Sequence, residues 1–265
     1  MRVSVISDIH GNFEDLARQA ESAEQLVVLG DLLDYIDYFD PNGGVLGAIF
    51  GGEAVAQMIV MRTAGDFDAY HAYDRQLWST IDDPTALLDE VVGAMYEAAI
   101  SCLAPGTLLT LGNVDVAHVW RALAPPHLQP IDGEAVEVAG VRLGFVGGGA
   151  VRNPPTDSPW KSFDRDYAAY AAVLARLGEF DVLCSHVPPR LAEMRFDTFA
   201  KREEMYGPGL LELIERRQPA LALSGHVHHP RVKETRVGNT RCVNVGYFKR
   251  NPVPFVFDTD DLLAD

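Results

Sequence analysis

The stretch Val3–Asn12, VSVISDIHGN, sets the reading of the whole chain. Val3–Ser7 is an apolar run too short for a helix and rich in valine, which predicts a strand covered on both faces. Asp8 and His10 follow it immediately. Two residues apart in extended backbone, their side chains point to the same side. Asn12 then stands as the N-cap of a predicted helix, Phe13–Ala23, with Leu16, Ala17 and Ala20 on one face. A carboxylate and an imidazole at the end of a buried strand belong in the crevice where open α/β sheets bind ligands.

Working outward, four more fragments repeat this arrangement. Gly30-Asp31 follows Leu26–Leu29, and Gly112-Asn113-Val114-Asp115 follows Thr107–Leu111. Ser185-His186 follows Asp181–Cys184, and Gly225-His226-Val227-His228 follows Ala220–Leu223. Further strands are predicted at Val141–Val146, Arg241–Val245 and Phe255–Phe257. Helical patterns lie between: Pro84–Leu103 with Asp83 as cap and Pro84 in the first turn, Asp166–Leu177 ending at Gly178, and Gly209–Arg217 with cations at its negative end. After Val141 the alternation of strand and helix loosens. That favours a layered α/β sandwich over a simple doubly wound sheet.

The five strand ends collect two carboxylates, one amide and four imidazoles: Asp8, His10, Asp31, Asn113, His186, His226 and His228. Asp31 has two oxygens and can bridge two cations. Mixed oxygen and nitrogen donors suit Mn, Fe, Zn or Co better than Ca or a lone Mg. No serine or cysteine stands in an arrangement that would make it a nucleophile, and Cys184 reads as the end of a buried strand.

Composition bounds the rest. The 265 residues fit one large domain, 48% of them are hydrophobic, and the formal net charge is −16. Such a balance argues against a sequence-independent grip on long nucleic acid, which needs clustered Lys and Arg. The three cysteines, Cys102, Cys184 and Cys242, form no close pair, which suggests a reducing compartment. With the first strand starting at Arg2, no leader peptide and a cytoplasmic location are expected. The apolar stretch Gly43–Met61 is broken by Gly51-Gly52 and carries Glu53 and Gln57, so it is a poor membrane span.

In this order the fragments resemble the calcineurin-like metallophosphoesterase superfamily, whose motifs run D-x-H, GD, GN-[H or another residue]-[DE], H and GH-x-H. The resemblance spans Asp8 to His228. It implies a four-layer α/β/β/α sandwich in a single domain, 1–265, with two divalent or mixed-valence transition-metal ions (Mn, Fe or Zn) between the sheets. Carried over by position, one metal takes Asp8, His10, Asp31 and His228. The second takes Asp31, Asn113, His186 and His226, with Asp31 bridging. Catalysis then rests on Asp31, Asn113 and His226 through a metal-bridging hydroxide that attacks phosphorus. Asn12 matches a motif extension that touches phosphate, and Asn244 and Gly246 resemble a late supporting motif or plain turn residues.

The departure is Val114, which stands where many members carry a histidine near the leaving group. Valine can give neither a proton nor a hydrogen bond, and general acid assistance is often worth about 10²–10⁴-fold. In this the chain is similar to compact bacterial phosphodiesterases of the superfamily that lack the histidine. The expected function is hydrolysis of small phosphodiesters such as cyclic nucleotides or nucleotide derivatives. The alternatives are a phosphomonoesterase acting on proteins or metabolites, a nuclease, or a non-catalytic metal-binding scaffold. His118, four residues on, is a candidate replacement donor or a surface histidine. Asp115 orients a neighbouring backbone group or caps a helix. Arg190, Lys161 and Arg165 are candidate phosphate contacts, and Asp34 and Asp37 are either partners of the metal ligands or exposed acids. Residues 35–83 read as a helical insert between the second and third motifs. It is a lid, a homo-oligomer interface through 43–83, or an extra helical layer.

Overall fold

The computed structural model describes residues 1–154 and 158–263. Its first half runs β1 (Arg2–Ile6), α1 (Phe13–Ser22), β2 (Gln25–Val28), α2 (Gly44–Phe50), α3 (Gly52–Thr63), α4 (Phe67–Trp78), α5 (Pro84–Cys102), β3 (Leu108–Leu109) and α6 (Ala117–Leu123). The second half opens with β4 (Glu134–Val138), β5 (Val141–Val146), β6 (Gly149–Val151), β7 (Asp164–Asp166), α7 (Tyr167–Arg176) and β8 (Val182–Ser185). It continues with α8 (Ala192–Arg195), β9 (Phe196–Asp197), β10 (Arg202–Glu203), α9 (Leu210–Arg217), β11 (Leu221–Ser224), β12 (Glu234–Val237), β13 (Thr240–Asn244), β14 (Phe255–Asp258) and α10 (Thr259–Leu263).

Two sheets carry the architecture. The first has the order β14-β1-β2-β3 and the second β12-β13-β11-β8-β5-β4. Their centres are parallel, and antiparallel strands close the edges at β14, β12 and β4. The period-2 alternation of side chains then divides the core into three. Val3, Val5, Val27 and Leu29 meet Leu143, Phe145, Val182, Cys184, Leu221, Leu223 and Val243 between the sheets. Ile6, Leu26 and Val28 point the other way, to α1 and α5. Val146, Leu183, Ala222 and Cys242 point to α7 and α9. The result is the α/β/β/α layering expected from the sequence.

The segment between Asp31 and Asn113 is helical. Gly51, at φ 80°, separates α2 from α3. Val45, Leu46, Val55, Met58, Tyr70 and Trp78 join the same core as Leu16, Leu88 and Val92, so α2, α3 and α4 pack as part of the outer helical layer. Among the described residues no helix is long and apolar enough to cross a membrane. The caps follow the sequence: Asn12 Oδ1 accepts from Asp15 N at 3.3 Å, and Asp83 Oδ1 from Ala86 N at 3.0 Å.

Some elements differ from expectation. The strand predicted over Thr107–Leu111 is only Leu108–Leu109. Beyond it Leu111 turns its carbonyl to Gly148 N at 2.7 Å, which carries the chain from the first sheet toward the loop after β5. The edge strand β4 escaped the sequence reading because EAVEV is half polar, as suits a strand paired on one side only. The short pairs β6–β7 and β9–β10 have too few residues for any periodicity.

Candidate metal centre

Five loops at the carboxyl ends of β1, β2, β3, β8 and β11 meet in one place. Their backbones are unusual: Asp8 (φ 59°), His10 (φ 43°), Asp31 (φ 54°) and His226 (φ 66°) all adopt the left-handed region. Non-glycine residues hold that conformation only where their surroundings impose it, and such strain gathers at functional sites. Close approach between loops is the reason here. Gly30, itself at φ 96°, lies against the backbone of Gly112, so a Cβ there would collide with it. A Cβ on Gly225 would collide with Ser7 Oγ and Asp8 Oδ2.

The side chains form two triplets, Asp8–His10–His228 and Asp31–His186–His226, each with its ligand atoms within 4.8 Å of one another. In the first, His10 Nε2 stands 3.1 Å from His228 Nε2, and Asp8 Oδ1 lies 3.3 Å from His228 Nε2. In the second, His186 Nε2 is 2.9 Å from Asn113 Oδ1 and 3.3 Å from Asp31 Oδ2. The same oxygen, Asp31 Oδ2, is 3.7 Å from His10 Nε2. One carboxylate oxygen therefore faces an imidazole of each triplet.

Backbone carbonyls fix the imidazoles. Leu33 O lies 2.7 Å from His10 Nδ1, and Leu29 O lies 2.8 Å from His186 Nδ1. Each contact asks for the proton on Nδ1, which leaves the Nε2 lone pair aimed at carboxylate and amide oxygens. Lone pairs facing lone pairs repel unless a cation or proton lies between them. Without a metal, protons take that place. Burial pulls His10 and His186 down, but Asp8, Asp34 and Asp31 hold His10 up at about 10, and Asp31 and Asp8 hold His186 up at about 9. His226 goes the opposite way, to about 4, through burial and the neighbouring His186, and its buried Nε2 has no hydrogen-bond partner. A neutral imidazole with a free, buried nitrogen is what a metal ligand requires. The donor set fits two cations.

A second ring of contacts holds these groups. Asp115, fully buried, accepts from the backbone N–H groups of Asp31, Leu32, Leu33 and Gly112 and from Tyr96 Oη. Val114 N donates to Asp31 Oδ1 at 2.8 Å. Asp8 accepts from His226 N through both oxygens, at 3.1 and 2.9 Å. Asn244 Nδ2 donates to Gly225 O and Val227 O, and its Oδ1 accepts from Gly246 N, so both residues support the histidine loop. Tyr247, which the sequence reading passed over, stacks on His228 with centroids 3.8 Å apart and planes 6° from parallel.

Other sequence candidates fall elsewhere. His118 is turned away, with Nε2 2.9 Å from Asp89 Oδ1 on the exposed side of α5 and α6. It is the second residue of α6, between the buried Ala117 and Val119, and its own side chain is exposed. Arg165 is committed to Gly147 O at 2.6 Å and Asp132 Oδ2 at 2.5 Å. Arg190 is exposed, 5.5 Å from the Tyr206 ring, and Lys161 is also exposed. Asn12 uses its amide on Asp15 Oδ2 and Lys249 O. Asp34 and Asp37 are not loose acids, since Lys249 Nζ lies 2.5 Å from one and 2.6 Å from the other. Asp34 Oδ1 is also 3.9 Å from His10 Nδ1. A cavity of about 380 Å³ opens beside the first triplet, lined by His10, Asn12, Phe13, Asp34, Met95 and Lys249 among others.

Comparison with known proteins gives a family and a fold. Residues 1–230 match the family model described as calcineurin-like phosphoesterase. One crystal structure, 16% identical, superposes with a TM-score of 0.57, covering 94% of this chain and 91% of the other. The crystal structure of TT1561 from Thermus thermophilus, 12% identical, gives 0.52 over 97% of this chain and 98% of that one. An archaeal phosphodiesterase, 11% identical, gives 0.40 over 98% and 95%. Sequence comparison with curated proteins gives no match.

Proposed function

The chain belongs to the calcineurin-like phosphoesterase family, and from that premise we propose that it hydrolyses small phosphodiesters with two transition-metal ions, Mn, Fe or Zn. The observation that carries the two-ion reading is Asp31 Oδ2, placed between His10 Nε2 and His186 Nε2. Asp8, His10 and His228 would hold one cation, Asn113, His186 and His226 the other, and Asp31 both. Bound there, the cations would neutralise charge on the phosphoryl oxygens and lower the pKa of the attacking water.

The protein's own residues prepare the reaction. The Nδ1 contacts of His10 and His186 turn each Nε2 inward, and the Asp115 hydrogen bonds fix the turn that carries Asp31. With geometry set before substrate arrives, little reorganisation accompanies the reaction. Val114 presents no proton to the leaving oxygen, and His118 is engaged with Asp89. The leaving group must therefore depart with charge compensation alone. That favours diesters, whose single negative charge repels the nucleophile less and whose leaving oxygen carries less charge in the transition state than a monoester's, and it disfavours monoesters of poorly acidic alcohols.

Two measurements test this. Elemental analysis of protein incubated with Mn²⁺ should find about two ions per chain, as a two-metal site requires. With Mn²⁺ present, bis(p-nitrophenyl) phosphate should turn over faster than p-nitrophenyl phosphate. One ion per chain, or a faster monoester, would overturn the proposal.

A further inference from the structure

Two exposed phenylalanines stand near the metal centre on turns held from beneath by buried carboxylates. Phe199 is 70% exposed and Phe39 49%. Asp37 Oδ1 accepts from the backbone N–H of Phe39 and Asp40, and Asp197 Oδ1 accepts in the same way from Phe199 and Ala200. The second oxygens reach toward the centre. Asp197 Oδ2 accepts from His229 N at 3.0 Å, next to His228, and Asp37 Oδ2 accepts from Lys249 Nζ at 2.6 Å, two residues after Tyr247. An acid inside and a phenyl ring outside reverse the ordinary preferences of both groups. Neither ring is placed to build the core.

The rings continue from the site without a break. Centroids run 6.5 Å from His228 to His229, 5.5 Å from His229 to Phe199, and 6.4 Å from Phe199 to Phe39. The two phenyl planes are tilted by 36° at 6.4 Å, the spacing of an ordinary aromatic pair, so the rings lie side by side with much of their surface open to solvent. A planar ring laid on that surface needs one van der Waals separation, about 3.5–4 Å. Arg250, whose guanidinium lies 4.3 Å from the Phe39 centroid, has no carboxylate partner among the described residues. It can donate to the acceptor edge of such a ring.

We propose that Phe39 and Phe199 form a stacking subsite for a nucleobase, so that the substrate of the metal centre is a nucleotide-derived phosphodiester. The inference rests on the phosphodiester reading above. A protein partner would need roughly 800 Å² on this side, far more than two rings offer. An aliphatic alcohol has no π-face to lay on them. Bases of any sequence stack on aromatic side chains, so the subsite selects for a base and leaves its identity open.

The test uses two diesters with one leaving group, thymidine 5′-p-nitrophenyl phosphate and methyl p-nitrophenyl phosphate. The full chain with Mn²⁺ should prefer the nucleotide ester in kcat/KM, and Phe39→Ala/Phe199→Ala should cut that ratio by at least about fivefold. Phe199→Tyr should keep it. A ratio near one in the unaltered protein, or one that the double variant leaves in place, overturns the subsite. Calorimetric titration with AMP and ribose 5-phosphate separates this failure from that of the parent reading. Tighter AMP binding that depends on the two rings, in a protein that cleaves neither diester, would support the subsite and overturn hydrolysis. Equal affinity for both would overturn the subsite by itself.

Discussion

Asp115 Oδ2 accepts the backbone N–H of Asp31 at 2.9 Å and that of Gly112 at 2.8 Å, so one buried carboxylate ties together the turns after β2 and β3. Its other oxygen takes Leu32 N, Leu33 N and Tyr96 Oη. Asp115 touches no ligand atom, yet it sets where Asp31 sits. Burial and the Asp31 charge push its carboxyl up to about 6 even with these donors around it.

Asp115→Asn is the first prediction. The amide keeps one oxygen but turns an NH₂ group toward N–H donors, leaving buried groups unpaired at a cost of about 1–3 kcal/mol. The melting temperature should fall, and metal affinity should drop by about 10–100-fold, the usual range for a partner of a ligand. Calorimetric Mn²⁺ titration and thermal unfolding check both. Tyr96→Phe removes one donor to Asp115 and the acceptor of Val116 N, and should show the same trends more weakly.

Chelation gives the second prediction. Ligand that binds only the folded state stabilises it by about 2.7 kcal/mol at a hundredfold excess over its dissociation constant. Removing metal should therefore lower the melting temperature by several degrees, and Mn²⁺ should restore it. In His226→Ala the restored increment should shrink, because the partnerless Nε2 is gone. An identical metal-dependent shift in that variant would remove His226 from the ligand set.

Val114→His provides the third. The Val114 N–H to Asp31 Oδ1 bond uses backbone and survives the change, so the metal loop stays in place. A histidine here should accelerate diesters with alkyl leaving groups more than those with p-nitrophenoxide, by up to about 10²-fold if it serves as a general acid. Parallel rate measurements on the two classes decide it. Equal effects would remove lost acid assistance as a ground for the proposed diester preference.

The candidate ligands were legible because each follows an apolar run, and strand ends of a layered sheet converge. Val3 and Val5 against Ile6, or Leu223 against Ala222, divide between layers as period-2 alternation requires. What stayed hidden depends on contacts between distant segments. Nothing within GNVD tells that Asp115 turns back to β2 and does not cap α6. His118 sits one turn from Val114 on paper, but the helix face that carries it is set by Trp120 packing inward, and it meets Asp89. Phe39 and Phe199 lie 160 residues apart, and only folding brings their rings to 6.4 Å.

Tyr247 yields the last prediction. Its ring lies flat on His228 at 3.8 Å and meets His10 edge-on at 5.8 Å, so it contacts two imidazoles of the first triplet from outside. His228 is also the more exposed of the two, with 31% of its side chain open against 5% for His10. An exposed imidazole without a packing neighbour samples several rotamers and loses affinity for metal through that freedom. Aromatic pairs contribute about 0.5–1.5 kcal/mol beyond burial. Tyr247→Ala should therefore weaken binding of one of the two ions by about tenfold and leave the other close to its original affinity. Tyr247→Phe should match the unaltered protein, because the stack needs the ring and not the hydroxyl. Two-site titration calorimetry reads the ions separately, and equal weakening of both would assign Tyr247 to the fold and not to His228.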